Sequence, residues 1–105
     1  MASVDDRLLF HEELVNLLGS DHVYFQPPEN LLMKYPAIVY SRTNIDNIHA
    51  DNLHYLQNRG YQVIVIDYDP DSEIVDRVAD FHKARFDRHY VSNNLNHDVF
   101  TIYYK

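Results

Sequence analysis

The run YQVIVIDY, residues 61–68, constrains this chain more than any other stretch. It is rich in β-branched residues, whose stiff side chains suit a pleated sheet. Successive side chains of a strand point to opposite faces, so Val63 and Val65 point one way and Ile64 and Ile66 the other. Apolar groups on both faces imply a central strand that is covered on both sides. The continuation DYDPDSEIVDRVADF then changes character within a few residues. A strand stops among carboxylates, and a helix is expected over residues 72–82, with Ile74, Val78 and Phe81 on one stripe.

The other elements are read from the same two periodicities. Residues 4–18 read as an amphipathic packing helix, with Leu8, Phe10, Leu14, Leu17 and Leu18 at helical spacing. Ser3 is placed to cap it, and Gly19 to close it. HVYFQPP (22–28) reads as a short strand cut off by Pro27 and Pro28, neither of which can donate to a ladder. YPAIVYSRT (35–43) reads as a second strand, with Pro36 tolerated at its start. ARFDRHYV (84–91) and HDVFTIYYK (97–105) read as two further strands. The intervening SNNLN supplies Asn residues that tolerate turn backbone angles.

Residues 44–60, NIDNIHADNLHYLQNRG, resist assignment. They are polar and only weakly periodic, through Ile45, Ile48 and Leu53. A long polar link between two confident strands is either disordered or functional. The expected order is α-β-β-β-α-β-β, in one domain over residues 1–105. That is an α+β fold: a mostly antiparallel sheet with two helices packed against it, and a long hairpin-like segment between strands 2 and 3.

Charge and composition narrow the function. Nine Lys and Arg against sixteen Asp and Glu give a net charge of −7. Proteins that grip nucleic acid by its phosphates usually carry a basic excess, so the overall balance argues against such a grip. With no Cys there is no disulfide and no thiolate metal site. No apolar run approaches the roughly 20 residues of a membrane helix, and the N-terminal residues do not read as a secretory signal. Nine Tyr with no Trp suit wet, half-buried contacts, because Tyr has an apolar body and a polar tip.

Four readings compete for Asp67, Asp69 and Asp71. An EF-hand places ligands at those spacings, but its Gly would be Ser72 and its bidentate Glu would be Val78. A phosphatase of the haloacid dehalogenase type carries Asp-x-Asp after an apolar strand, as in VIVIDYD. Such enzymes need a larger parallel sheet and more chain after the motif. A looser divalent-cation site is the third reading. The fourth is local structure, in which Asp69 or Asp71 caps the following helix and the carboxylates favour its positive end. Pro70 then fits a first-turn position. This last reading accounts for the local residues without a ligand.

The seven His show no HExxH spacing. There is no GxSxG elbow, and Gly19 and Gly60 are too few for a phosphate-cradling loop. No cofactor is expected, and no catalytic residue stands out.

Three stretches, VYFQPPENLLMKYPAIVYSR, YQVIVIDYDPDSEIVDRVADF and NNLNHDVFTIYY, together resemble a family of small proteins of tailed bacteriophages. These are the tail terminators or tail-completion proteins. The resemblance spans about residues 14–104 and consists of whole segments, not an enzymatic signature. It implies a structural, non-enzymatic protein that forms a homo-oligomeric, hexameric ring on the end of the tail tube. Such a ring stops tube growth and presents a surface to the head–tail connector or head-completion protein. The implied partners are then the tail tube protein, the connector and further copies of the chain. DNA would pass the lumen without specific binding, with no membrane involved. The place of action would be the virion's head–tail junction, after assembly in the host cytoplasm.

Residues 44–60 are then the expected inter-subunit arm, with Ile45, Asp46, Ile48, His49, Leu53, Tyr55 and Arg59 at the interface. Family members often carry a more basic run just before the third strand, whereas YLQNRG has Arg59 as its one basic residue. A head-completion or neck protein is the alternative within the same virion. A small metal-dependent hydrolase using Asp67 and Asp69 is the alternative from another class.

Overall fold

The computed structural model describes residues 4–50 and 54–104, with side chains described over 6–43 and 60–104. The described elements run α1 (Val4–Leu18), β1 (Val23–Phe25), β2 (Ala37–Ala50), β3 (His54–Asp67), α2 (Glu73–Ala79), β4 (Ala84–Ser92) and β5 (Leu95–Tyr104). The order and the α+β class are those expected. The strands form one sheet in the order β1-β2-β3-β5-β4. β1 runs parallel to β2, and every other pairing is antiparallel.

β3 is the central strand, as its β-branched run implies. Val63 lies opposite both Tyr40 and Phe100, and Val65 opposite Ile38. This row faces α1 and α2, and its members share one core with Phe10, Leu14 and Leu18 of α1 and Ile74 and Val78 of α2. The helices contribute to the core on the Val63 and Val65 side, and on the other side Ile66 and Val99 are buried and Ile64 is half-buried.

Phe10 organises the core. It is 0% exposed. Its ring stacks on Tyr61 at 4.8 Å and meets Tyr40 edge-on at 5.5 Å. Phe81 and Tyr104 lie 5.7 and 4.8 Å away on other sides. Leu8, expected on the same stripe, is instead 48% exposed. Phe10, Leu14 and Leu18 recur every four residues, and Leu8 falls off that line. Gly19 closes the helix as expected. Its φ of 85° is the left-handed conformation, and its N–H donates to the Val15 carbonyl at 2.9 Å. Ser3, the expected cap at the other end, lies outside the described residues.

The short strand is shorter than the expected 22–28, because Gln26 turns to a φ of 44° before the prolines arrive. α2 ends before Phe81, although Phe81 still packs against the core. The SNNLN turn is a two-residue loop: Ser92 pairs with Leu95, and Asn93 and Asn94 take φ of 54° and 63°. Positive φ at both loop residues is the twist that matches the flanking strands.

The described part of the difficult segment, to Ala50 and from His54, proves to be strand. β2 and β3 are 14 residues each, and they stay paired from Ala37↔Ile66 out to Ala50↔His54. β5 leaves β3 at Arg59↔Tyr104, and β1 leaves β2 at Tyr40. Beyond those points β2 and β3 pair only with each other, as a two-stranded ribbon. The molecule is correspondingly long, at 50 × 24 × 23 Å.

Candidate functional site

Two regions bear on function: the acidic loop after β3 and the ribbon. The loop is built from the end of β3 outward. Asn96 of β5 donates its side-chain amide to the carbonyls of Asp67 and Tyr68, at 3.3 and 3.2 Å, and so pins the point where the strand stops. One carboxylate oxygen of Asp67 then accepts from the Asp69 N–H at 3.1 Å, and one of Asp69 accepts from the Asp71 N–H at 2.9 Å. Each is an Asx turn, in which a short side chain stands in for a backbone acceptor.

The cap is Ser72, a correction to the expectation for Asp69 and Asp71. Its Oγ accepts from the Ile74 N–H at 3.2 Å, and the residue is 6% exposed. Asp69 turns the loop two residues too early to reach the helix. Pro70 therefore lies in the turn ahead of α2, not in its first turn. Glu73 and Asp76 still place negative charge near the helix start. Arg77 answers from the other side: it donates to the Leu17 carbonyl at the end of α1 at 3.0 Å and lies 3.6 Å from Glu73.

Asp67, Asp69, Asp71, Ser72, Glu73 and Arg77 line an open cleft floored by Leu18 and Ile74. Asp67 and Asp69, the pair named for a hydrolase, thus share a wall of this cleft, each with one oxygen engaged in a turn. Among the described residues, no three His, Asp or Glu are grouped to hold a metal ion. No described helix is long and apolar enough to cross a membrane.

Ser72→Ala is expected to cost about 1–2 kcal/mol in urea unfolding, because the cap is buried and its partner N–H loses an acceptor. Asp71→Ala should cost less than about 0.5 kcal/mol. Calcium or magnesium should leave the melting temperature of the native chain in place. A metal-dependent rise would require a native-state site and would reverse this assignment.

A second cluster ties α1 to the sheet. The Tyr40 hydroxyl lies 2.7 Å from His11 Nδ1. Burial lowers the His11 pKa, with Arg7 adding to the effect, and burial raises that of Tyr40. Both shifts favour the neutral groups, which share one hydrogen bond between hydroxyl and ring nitrogen. Tyr104 donates to the Glu13 carboxylate. Burial and then that bond push its pKa up to about 12. The Arg7 guanidinium stacks 4.3 Å over the Phe25 ring. These contacts fix α1 in place.

The ribbon carries the residues expected at an interface. Backbone pairing sets Ile45 against Arg59, Asp46 against Asn58, Ile48 against Leu56 and His49 against Tyr55. The side chains of Ile45, Asp46, Ile48, His49, Tyr55 and Arg59 lie outside those described, and Leu53 lies outside the described residues altogether. The structure therefore brings the six described positions onto one projecting ribbon. It sets them apart from the acidic loop, which sits where β3 ends at Asp67. Comparison with protein-family models and with curated proteins finds no match.

Proposed function

We propose that this chain is a structural virion protein of a tailed bacteriophage, a tail terminator. Copies close into a ring, expected to be hexameric, that caps the tail tube, stops its elongation and joins the tail to the head connector. One observation carries the reading: a two-stranded ribbon that projects past the sheet and pairs with no other described strand of its own chain. An isolated two-stranded hairpin is marginal in water. A ribbon of this kind is stable and useful when a neighbouring subunit covers it. The order of elements and the resemblance of the three long segments support the same reading. The net charge of −7 suits a lumen past which DNA slides, because like charges limit sticking.

Added to growing tail tubes, the protein should stop elongation in proportion to the tube ends present, not to total tube subunit. Labelled in intact virions, it should give one ring of signal at the head–tail junction. Normal tail lengths with leaking heads in its absence would assign it instead to head completion. Signal along the tube, over the capsid or at the distal tip would refute both placements.

A further inference from the structure

The two edges of the sheet are unequal. β1 closes one side with three residues, while β4 closes the other with nine, nearly all of them exposed. In an antiparallel ladder, alternate residues turn their N–H and C=O away from the partner strand, so β4 presents a row of backbone groups outward. Phe86, Tyr90 and Val91 on it are 52, 38 and 62% exposed.

Charge distinguishes β4 from the rest of the chain. Lys83, Arg85 and Arg88 are three of the nine basic residues, and they fall within six positions of an acidic protein. Asp87 is the one acid among them, 3.5 Å from Arg85 at the bulge where β4 slips against β5. Arg88 leans over the Tyr90 ring at 5.8 Å, and His89 meets Asp98 at 2.8 Å. A basic edge bearing exposed apolar groups remains.

The ribbon has the opposite character. Between Thr43 and Arg59 the sequence carries Asp46 and Asp51 and no Lys or Arg. Its sequence also carries the apolar residues Ile45, Ile48, Leu53 and Leu56. Its outer backbone edges are open from Asn44 to Ala50 and from His54 to Asn58, where neither β1 nor β5 reaches.

We infer that the β2–β3 ribbon of one copy docks along the β4 edge of the next, extending its sheet by strand addition. The inference rests on the ring reading above and names its contact. β4 against β4 would set Arg85 and Arg88 near their own copies, and like charges across a strand pair are destabilising. Ribbon against β4 joins unlike surfaces, a head-to-tail contact that closes into a ring when its rotation closes.

The chain has no Cys, so introduced thiols report without background. One full-length protein carries Val91→Cys on β4. A second, affinity-tagged, carries Asn47→Cys or Asn58→Cys on the ribbon. The two are mixed, concentrated until light scattering reports oligomers, and treated with a short bifunctional thiol reagent. Ribbon-to-β4 products should exceed both same-site products by about tenfold. Adding Arg85→Glu and Arg88→Glu to the β4 protein should lower them about tenfold, and so should high salt.

Rings that form with predominantly β4-to-β4 or ribbon-to-ribbon products, or with none, would overturn the docking and leave the ring reading standing. A chain that stays monomeric at every concentration and fails to stop tube growth would overturn both. If the Glu variants assemble and crosslink unchanged but no longer retain duplex DNA, the basic strand serves nucleic acid and the inference fails.

Discussion

Removal of residues 46–58, with Ile45 joined to Arg59 through an Asn-Gly turn, is expected to leave a folded monomer that no longer forms rings. Ile45 and Arg59 are already paired across the ribbon, so a two-residue turn meets strands in register. The described core of Phe10, Leu14, Tyr40, Val63, Val78 and Phe100 lies outside the deleted segment. Stability should therefore stay within about 1 kcal/mol of the parent in urea unfolding. Assembly should be abolished, and tubes grown with the shortened protein should overrun their normal length. If the shortened protein still assembled on tails, the ribbon would be an ornament of the fold and the proposed ring contact would be lost with it.

Phe10→Ala is expected to have the largest effect on folding itself. The side chain is 0% exposed and is enclosed by four other rings, those of Tyr40, Tyr61, Phe81 and Tyr104. Truncating a buried Phe costs about 3–5 kcal/mol, through lost transfer energy and the cavity left behind. A domain of this size holds roughly 5–15 kcal/mol in total, so the variant should sit close to unfolding at room temperature. Leu8→Ala, on the same helix and 48% exposed, should cost less than about 0.5 kcal/mol. Equal losses for the two would mean that α1 is not held by its Phe10 stripe.

The legible parts of the sequence were those where one face is buried. Val63 to Ile66 declared a central strand, because four consecutive apolar residues suit few other places. Phe10, Leu14 and Leu18 declared α1 through their spacing of four. The ribbon was illegible for the converse reason. Ile45 and Ile48 stand three apart, a spacing that matches a helix turn better than a strand's period of two, and the described sheet gives the segment no core to point into. The cap was missed through excess of candidates. Asp67, Asp69, Asp71 and Ser72 all suit a turn or a helix start, and only the hydrogen bonds assign the first two to Asx turns and Ser72 to the cap. The charge on β4 was visible as Lys83, Arg85 and Arg88, but its meaning depends on β4 being an edge, which the order of strands in the chain does not reveal.

The tilted contact of the Phe10 and Tyr104 rings brings the first helix against the last strand, 4.8 Å apart between rings. Both hairpins form between neighbours in the chain, whereas α1 has to await β5. On the ribosome, at ~5–20 residues per second, α1 emerges on the order of 5–20 s before its last partner. During that interval Phe10, Leu14 and Leu18 have no finished sheet to cover them. The acidic residues interspersed on the same helix, Asp5, Asp6, Glu12 and Glu13, keep the waiting segment hydrated and mutually repulsive between nascent chains. Glu13 then changes employment when Tyr104 arrives, from a solubilising charge to the acceptor that fastens the helix to the completed sheet.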